Sequence, residues 1–317
     1  MLSFFLAAAL VASGERSSLA TEADARLAAI GWRLATRNVA LCDRTAPMPG
    51  WAIHALDQYT ALPLPAGQSA PQFPTSVAVM LVVPGAPAAR AGVKPDDELV
   101  AIAGKPVPTP PTPAAKSSAT RDAVEVAVAA QPADRPLAVT LVDRNARRDV
   151  AISASPGCRV TFEVIGDGGL GAESDGQMVR LGAALFARYT DDELAVVAAH
   201  ELAHNVLRHR ARLQAAGVKF GLLSEFGRNA RLFQRTETEA DLLGMYLLRN
   251  AGYDPRIAVT FWRAHGGEVG GGFFRSRTHP SAAKRAAAIE AEIERIPAGA
   301  GLPYVPPLVA TRGEGLR

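Results

Sequence analysis

The stretch HELAH, residues 200–204, constrains this chain more than any other part of its sequence. His200 and His204 are four residues apart, so in a helix both rings project from one face about one turn apart. That spacing lets two imidazole nitrogens bind one zinc ion at about 2.0–2.1 Å each. Glu201 directly follows the first histidine, where its carboxylate can take a proton from a water molecule on the metal. The stretch therefore predicts a helix that carries a metal centre and a base.

The helix that carries HELAH has a recognisable start. Thr190 followed three residues later by Glu193 forms a capping box, and an apolar run comes after it. His209 lies five residues after His204 and is rotated by about 140° around a continuous helix, so we expect it to pack or cap rather than bind metal. The alternative is a buried helix with two core histidines, in which the glutamate between them would need a partner of its own.

A tetrahedral zinc site needs a third protein ligand, and the next long helix, RTETEADLLGMYLLRNAGYDP, offers one. Glu237 and Asp241 are four residues apart on one face of this helix, and Gly244 continues that face. Glu237 is the predicted ligand, Asp241 is expected to accept the second ring N–H of a ligating histidine, and Gly244 allows close approach of the HELAH helix. Glu239 falls on the other side and is not assigned to the metal. The alternative, a solvated acidic face, fits badly with the apolar residues around it.

The segment before the metal-site region is rich in predicted strands. Residues 77–83 form a β-branched run, followed by PGAPAARAGVKPDDELVAIAGKPV at 84–107, a predicted helix at 120–130 and a predicted hairpin of LAVTLVD with RDVAIS. The segment resembles a PDZ domain of bacterial proteases over residues 72–155. The resemblance implies that an extended peptide adds to the exposed edge of the 77–83 strand, with its side chains against the helix. The alternative is a PDZ-shaped spacer that binds nothing.

Three motifs together, HELAH, ETEAD and THPSAAKR, resemble the HtpX-like and CAAX-prenyl-protease-like gluzincin peptidases. The resemblance covers residues 157–296. Within the family, the chain looks most like the soluble periplasmic members, some of which carry an embedded PDZ domain. It implies that the zinc ligands are His200, His204 and Glu237 and that the general base is Glu201. It further implies that Asp241 lies behind a ligand and that Arg285 and His279 lie near the active site. His279 would stabilise the oxyanion or latch onto the zinc; the alternative is a capping position before Pro280. The stretch GQMVRLG matches the family's cleft-lining edge strand, to which an extended substrate would pair.

These assignments predict an α+β protein. It has a mainly helical gluzincin metallopeptidase domain with a small edge sheet, and a β-rich PDZ-like domain inserted after an N-terminal helix. The N-terminal helix follows from apolar residues at helical spacing. The predicted parts are a signal peptide (1–14), an N-terminal helix with linker (15–71), the PDZ-like domain (72–155), the metallopeptidase domain (156–298) and a Pro/Gly-rich tail (299–317).

The first twelve residues, MLSFFLAAALVA, form an apolar run that is too short to cross a bilayer, which takes about twenty residues. Its length suits the core of a secretory signal peptide, so we expect export to a bacterial periplasm and no transmembrane span in the mature chain. The alternative is a buried N-terminal helix. In an exported protein Cys42 and Cys158 are a candidate disulfide, whereas in the cytosol they would be two inert thiols.

Charge and chemistry narrow the function. The formal net charge is +3, the 34 basic and 31 acidic residues are interspersed, and no basic tract suggests a nucleic-acid partner. The predicted function is hydrolysis of protein substrates by an endopeptidase with one zinc ion (Zn2+) per chain, in cell-envelope quality control, with the PDZ-like module binding or regulating substrates. One alternative is a PDZ-based peptide-binding or chaperone-like factor whose zinc site is latched or structural. Another is hydrolysis of a non-peptide amide by the same metal chemistry. The PDZ resemblance argues against it, because a peptide-binding module suits a protein substrate.

Overall fold

The structure, a computed structural model, describes residues 21–59, 75–109, 116–144, 146–166, 169–218, 228–269 and 280–316. It is an α+β protein, as predicted, and the predicted signal peptide lies outside the described residues. The helices are α1 (Glu22–Arg37), α2 (Pro87–Arg90), α3 (Ala119–Ala129), α4 (Ala183–Arg188), α5 (Asp191–Val206), α6 (His209–Ala215), α7 (Arg228–Asn250), α8 (Arg256–Val269) and α9 (Ala282–Ile293). The strands are β1 (Thr45–Met48), β2 (Trp51–Ala55), β3 (Val77–Val82), β4 (Glu98–Ile102), β5 (Lys105–Pro106), β6 (Leu137–Asp143), β7 (Ala146–Ile152), β8 (Ser155–Cys158), β9 (Thr161–Ile165), β10 (Ala172–Ser174) and β11 (Met178–Gly182).

Strands β2 to β7 form one antiparallel sheet in the order β2-β3-β4-β6-β7, with β5 paired to β4. The predicted helix and hairpin of this segment are both present, as α3 and as β6 with β7. A helix and a sheet each have to bury an apolar face, and here they bury it against each other. The shared core includes Val79, Leu99, Leu141, Val124 and Val128.

Strand β3 lies inside this sheet and has a partner on each side. It pairs with β2 on one side and with β4 on the other. The prediction that a peptide adds to the edge of the 77–83 strand is therefore wrong, because the chain's own β2 occupies that edge. The sheet begins at Trp51, well before the predicted boundary at residue 72, since β2 lies in Pro- and Gly-rich sequence with little strand pattern. Within the described part of the chain, β2 is one of the two end strands of the sheet.

A two-stranded ribbon joins this sheet to the rest of the protein. β1 and β8 pair antiparallel, with Thr45 opposite Cys158 and Met48 opposite Ser155, so the entering and leaving chains run side by side. The predicted disulfide is present at the same place: Cys42 is bonded to Cys158, and their Cα atoms are 5.4 Å apart. The ribbon and the disulfide together fix the point at which the PDZ-like sheet is inserted.

The N-terminal helix α1 belongs to the core of the part of the chain that carries HELAH, which we call the metal-site half. It begins with a capping box between Thr21 and Asp24 and buries Leu27, Ile30 and Leu34. These side chains share one hydrophobic cluster with α5, α7 and α8. The predicted amphipathic helix is therefore confirmed, and it packs on the helices that carry the candidate site.

A three-stranded sheet lies beside α5, in the order β10-β11-β9. β11 pairs antiparallel with β10 and parallel with β9. The stretch GQMVRLG, which was expected to be the edge strand, is therefore the central strand. The edge beside α5 belongs instead to β10, residues 172–174, whose short sequence carries no clear strand pattern.

The segment predicted as a Pro/Gly-rich tail packs on the metal-site half. Residues 307–313 form a 3-10 helix, and Val309 and Leu316 are each 5% exposed. The Arg212 guanidinium donates to the carbonyl oxygen of Glu314 at 3.1 Å. No helix among the described residues combines the length and the apolarity needed to cross a membrane.

Candidate metal centre

Helix α5 brings HELAH into the core. It begins at the predicted capping box, in which the Thr190 hydroxyl accepts from the N–H of Glu193 and the Glu193 carboxylate accepts from the N–H of Thr190. The helix is buried from residue 194 to residue 203, and His200 and Glu201 are each 4% exposed. A polar group at this depth needs partners, because an unsatisfied one costs about 1–3 kcal/mol.

Three of the predicted site residues bring their donor atoms together. The Nε2 atoms of His200 and His204 are 3.2 Å apart. Glu237 places one carboxylate oxygen 3.2 Å from His200 Nε2 and the other 3.4 Å from His204 Nε2. Ligand atoms about 2.0–2.1 Å from a tetrahedral zinc ion stand about 3.3–3.4 Å from one another. Two imidazoles and one carboxylate are also a donor set of catalytic zinc sites, so the residues present fit a zinc ion.

His200 has a direct support from α7 and α9. Its Nδ1 is 3.1 Å from an oxygen of Asp241, and the Arg285 guanidinium donates to both oxygens of that carboxylate at 2.6 Å. The guanidinium also lies over the Trp262 ring, 3.3 Å from its centroid. Burial acts to raise the pKa of Asp241, but Arg285 and His200 hold it below its ordinary value. Asp241 and Arg285 thus both lie beside His200, and their role behind a zinc ligand stays a prediction.

Glu201 lies beside the three donor atoms. Burial raises the pKa of Glu201 to about 7, against the opposing charge of His200 and a hydrogen bond from Ser174. Ser174 ends β10, so the edge strand of the small sheet reaches this carboxylate. Burial likewise puts the pKa of His204 well below its ordinary value. The site is therefore a cluster of buried and partly buried groups with a carboxylate next to β10, which is an end strand of its sheet within the described residues.

A second group at the centre was missed by sequence reasoning. His209 Nδ1 is 2.9 Å from His204 Nδ1, and His209 Nε2 is 3.2 Å from an oxygen of Glu239. Arg212 and Arg235 donate to the same carboxylate at 2.8 and 2.7 Å. Burial acts to raise the pKa of Glu239, but the bonds from His209 and both arginines lower it to about 2. His209 therefore contacts a predicted ligand instead of only packing at a helix end.

A break in the helix explains this contact. α5 and α6 are separate helices, and Arg208 between them adopts a left-handed conformation with φ 54° and ψ 36°. The turn brings His209 back towards His204, which a continuous helix would not do. Arg208 forms an ion pair with Asp43, close to the disulfide. Neither glycine nor proline marks the break in the sequence, so a pattern of residues gave no sign of it.

Two further predictions concern residues around the centre. A Cβ atom added to Gly244 would lie 3.3 Å from the backbone nitrogen of His200, so the predicted close approach of α7 and α5 is confirmed. His279 lies outside the described residues, and its role as oxyanion stabiliser or latch stays a prediction. The described part of the centre is thus built from α5, α6, α7, α8 and α9.

Known families match both halves of the chain. Residues 170–230 and 214–293 match peptidase family M48, and residues 79–117 match the family described as PDZ domain. The chain carries a family M48 peptidase domain. The M48 match runs from β10 to α9 and so includes every residue of the cluster described above.

Two curated relatives share part of the M48 region. Mitochondrial metalloendopeptidase OMA1 of Schizosaccharomyces pombe is 38% identical over 121 residues, which are 32% of this chain and 36% of the relative. The protein of the same name from Arabidopsis thaliana is 37% identical over 115 residues, 30% of this chain and 23% of the relative. The chain thus spans about a third or less of the length of these relatives. Among solved structures, the HtrA3 PDZ domain bound to a phage-derived ligand aligns with a TM-score of 0.24 and 18% identity, over 36% of this chain and 88% of that one.

Proposed function

We propose that the chain is a zinc-dependent metalloendopeptidase that cleaves protein substrates. The observation that carries the proposal is the meeting of the His200, His204 and Glu237 donor atoms, all within 4.8 Å of one another. Glu201 lies close enough to His200 and Glu237 for their charges to act on its carboxylate. The M48 match and the similarity to two metalloendopeptidases support the reaction class.

The chain's own residues supply the proton transfers. When bound, zinc supplies a Lewis acid that polarises a carbonyl group and makes water more acidic. The Glu201 carboxylate accepts the proton of the attacking water and then donates it to the leaving amine. An extended substrate pairs with the outer edge of β10, an end strand of the sheet in the part of the chain that the structure describes, because main-chain hydrogen bonds to a strand edge hold a peptide with little sequence preference. Ser174, at the end of that strand, sets the substrate close to Glu201.

The test is Glu201→Gln, which keeps the shape of the side chain and removes the base. We expect the variant to retain one zinc ion and to lose cleavage of unfolded casein by about 100-fold or more, since general bases contribute about 10²–10⁴ in rate. Asp192→Asn, on the exposed first turn of the same helix, is the matched control and should cleave at the wild-type rate. Metal content and cleavage are measured on the same samples.

The result also separates the two candidate functions. Cleavage at the wild-type rate by zinc-loaded Glu201→Gln would contradict the assignment of the base. A wild-type protein that holds zinc, binds unfolded casein and does not cut it would support the alternative, a peptide-binding factor with a structural or latched zinc site. Cleavage that a chelator abolishes and zinc restores supports the peptidase.

For the PDZ-like domain we propose peptide binding between β2 and α3. A cavity of about 550 Å³ lies there, with β2 as one wall and α3 as another. Trp51 and Ile53 line it from the strand, and Val126 lines it from the helix with 51% of its surface exposed. A strand edge offers main-chain hydrogen bonds and the apolar side chains offer a pocket, which together suit an extended peptide.

The metal-site half forms the opposite side of this cavity. Phe162 and Glu163 of β9 line it, and Glu163 accepts from Arg121 of α3 at 2.5 Å and from Arg180 at 3.2 Å. A peptide in the cavity would therefore touch both halves of the chain. This placement supports a role in presenting or regulating substrates.

Binding is tested in the Glu201→Gln background, which prevents turnover. Val126→Glu puts a charge on the apolar wall and should weaken binding of fluorescent unfolded casein about tenfold, the loss expected for a contributing contact residue. Ala123→Glu, on an exposed position of α3 outside the cavity lining, is the matched control. Equal binding by both variants would contradict the groove.

We further propose that the protein is exported and acts in cell-envelope quality control. The disulfide supports export, because disulfides form and persist in oxidising compartments such as the periplasm. Fractionation of bacteria that produce the chain with and without residues 1–14 tests this. Both forms remaining in the cytosol would contradict it.

A further inference from the structure

We propose that Glu239, acting through His209, is a positioning residue for the metal centre. It selects which ring nitrogen of His204 carries the proton, so that Nε2 keeps its lone pair for zinc. This inference rests on the proposed function, because it concerns the support of a proposed zinc ligand. The Glu239 carboxylate acts on His204 through a second imidazole, that of His209. Asp241, in contrast, contacts the other proposed ligand, His200, directly.

The route is a chain of two short contacts inside the protein. His204 Nδ1 is 2.9 Å from His209 Nδ1, and His209 Nε2 is 3.2 Å from Glu239 Oε2. His209 is 1% exposed and Glu239 is 7% exposed, so bulk solvent has little access to this contact. Two imidazole nitrogens that face each other with no metal position between them must share one proton, since two lone pairs would repel and two protons would clash.

The carboxylate end decides the direction of that proton. Arg212 and Arg235 both donate to Glu239, so the carboxylate offers His209 acceptor atoms alone. His209 must then carry its proton on Nε2 and present a lone pair at Nδ1. His204 must then carry its proton on Nδ1 in order to donate to this lone pair, and its Nε2 is unprotonated. The opposite arrangement would set a lone pair of His209 against a carboxylate oxygen.

The bare Nε2 faces the predicted metal position. It lies 3.2 Å from His200 Nε2 and 3.4 Å from an oxygen of Glu237. Metal-ligating histidines generally give their other ring N–H to an acceptor, which fixes the tautomer and the orientation of the ring. Here that acceptor is the imidazole of His209, and the Glu239 carboxylate fixes the tautomer of His209 from its other side.

The first test measures zinc affinity by competition with a chromogenic chelator. Glu239→Gln supplies an amide N–H that can donate to His209 Nε2 and so permits the reverse arrangement. His209→Phe removes the relay and keeps an aromatic ring. Each variant should bind zinc about 10–100-fold more weakly, the usual effect of losing a residue behind a ligand. The double variant should be no weaker than His209→Phe alone, because residues in one network are not additive.

The second test reads the proton directly, by nitrogen NMR of histidine-labelled, zinc-free protein. We expect His204 to carry its proton on Nδ1 in the wild type, and part of the population to move to Nε2 in Glu239→Gln. A residue that only packs would leave this ratio unchanged. Asp97→Asn is the matched control: Asp97 is 2% exposed and accepts from Arg148 in the PDZ-like sheet, far along the chain from the centre. It should change neither zinc affinity nor the His204 proton.

The outcomes keep the two proposals apart. A wild-type protein that binds no zinc contradicts the proposed function. Tight zinc binding with additive losses, or with the His204 proton unmoved in Glu239→Gln, overturns the relay and leaves the proposed function standing. If His209→Phe does not fold, the NMR of Glu239→Gln decides alone.

Discussion

The two imidazoles of the proposed zinc site are supported in different ways. His200 meets a carboxylate directly, 3.1 Å from Asp241, whereas His204 meets one through His209. The direct support joins straight helices, α5, α7 and α9. The relayed support depends on the turn at Arg208, where the chain leaves one helix and begins the next. The direct support therefore depends on how three helices pack, whereas the relayed support depends on the backbone conformation of one residue, Arg208.

The largest effect is expected from the disulfide, which lies near the turn. Replacing Cys42 and Cys158 with serine removes a crosslink between residues 116 positions apart and should lower the free energy of unfolding by about 4–5 kcal/mol. Urea denaturation measures the loss. Because Asp43, next to Cys42, pairs with Arg208, zinc affinity should fall through the relayed support. A loss below about 1 kcal/mol would contradict the crosslink's role.

Arg285→Met probes the direct support. It leaves the buried Asp241 carboxylate without its guanidinium, and breaking a buried ion pair costs about 3–5 kcal/mol of unfolding free energy. Arg235→Met is the counterpart on the relayed side, and since that side chain is 39% exposed it should cost at most about 1 kcal/mol. Thermal or urea denaturation of both variants makes the comparison. Equal losses would show that the two supports do not differ in this respect.

Arg208 allows the turn itself to be tested. A β-branched side chain is poorly suited to a left-handed backbone, so Arg208→Val should cost about 1–2 kcal/mol and weaken zinc binding. Arg208→Gly accepts the conformation and loses the same ion pair, so it is the matched control. Chelator competition and denaturation are run on both. If glycine weakens zinc binding as much as valine does, the ion pair with Asp43 matters and the turn does not.

Gly244→Ala should have the smallest effect and acts on the direct side. The added methyl group would lie 3.3 Å from the His200 backbone nitrogen and push α7 from α5 by a few tenths of an ångström. Alanine favours a helix over glycine by about 1 kcal/mol, which offsets the strain. We expect stability within about 1 kcal/mol of wild type and a zinc affinity reduced less than in the relay variants. A loss as large as that of Arg285→Met would mean that the straight-helix support is the sensitive one.

The sequence predicted what depends on regular helical spacing. HELAH gave two histidines and a glutamate on one helix, and Glu237 with Asp241 followed from four-residue spacing on another. These side chains meet because straight helices keep residues four apart on the same face. The same logic predicted α1, α3 and the capping box at Thr190.

The sequence did not predict what depends on a change of direction or on strand partners. His209 reaches His204 because Arg208 takes a left-handed conformation without a glycine, and no local pattern signals that. β2 joins the PDZ-like sheet although its pairing with β3 shifts register between Ala52 and Ile53. β11 is central rather than an edge, because strand order is decided by packing among segments distant in sequence. In each case the deciding contact is long-range.

The ribbon of β1 and β8 has a consequence for modularity. Since Met48 stands opposite Ser155, the two cut ends of the PDZ-like segment are neighbours across one ladder. Segments whose ends lie close together can be inserted or excised with little disturbance of the host. A tight turn joining these two positions would convert the ribbon into a hairpin and leave α1, the disulfide and the metal centre on one shorter chain. The same geometry is what an ancestral peptidase would need to acquire such a module at a single loop.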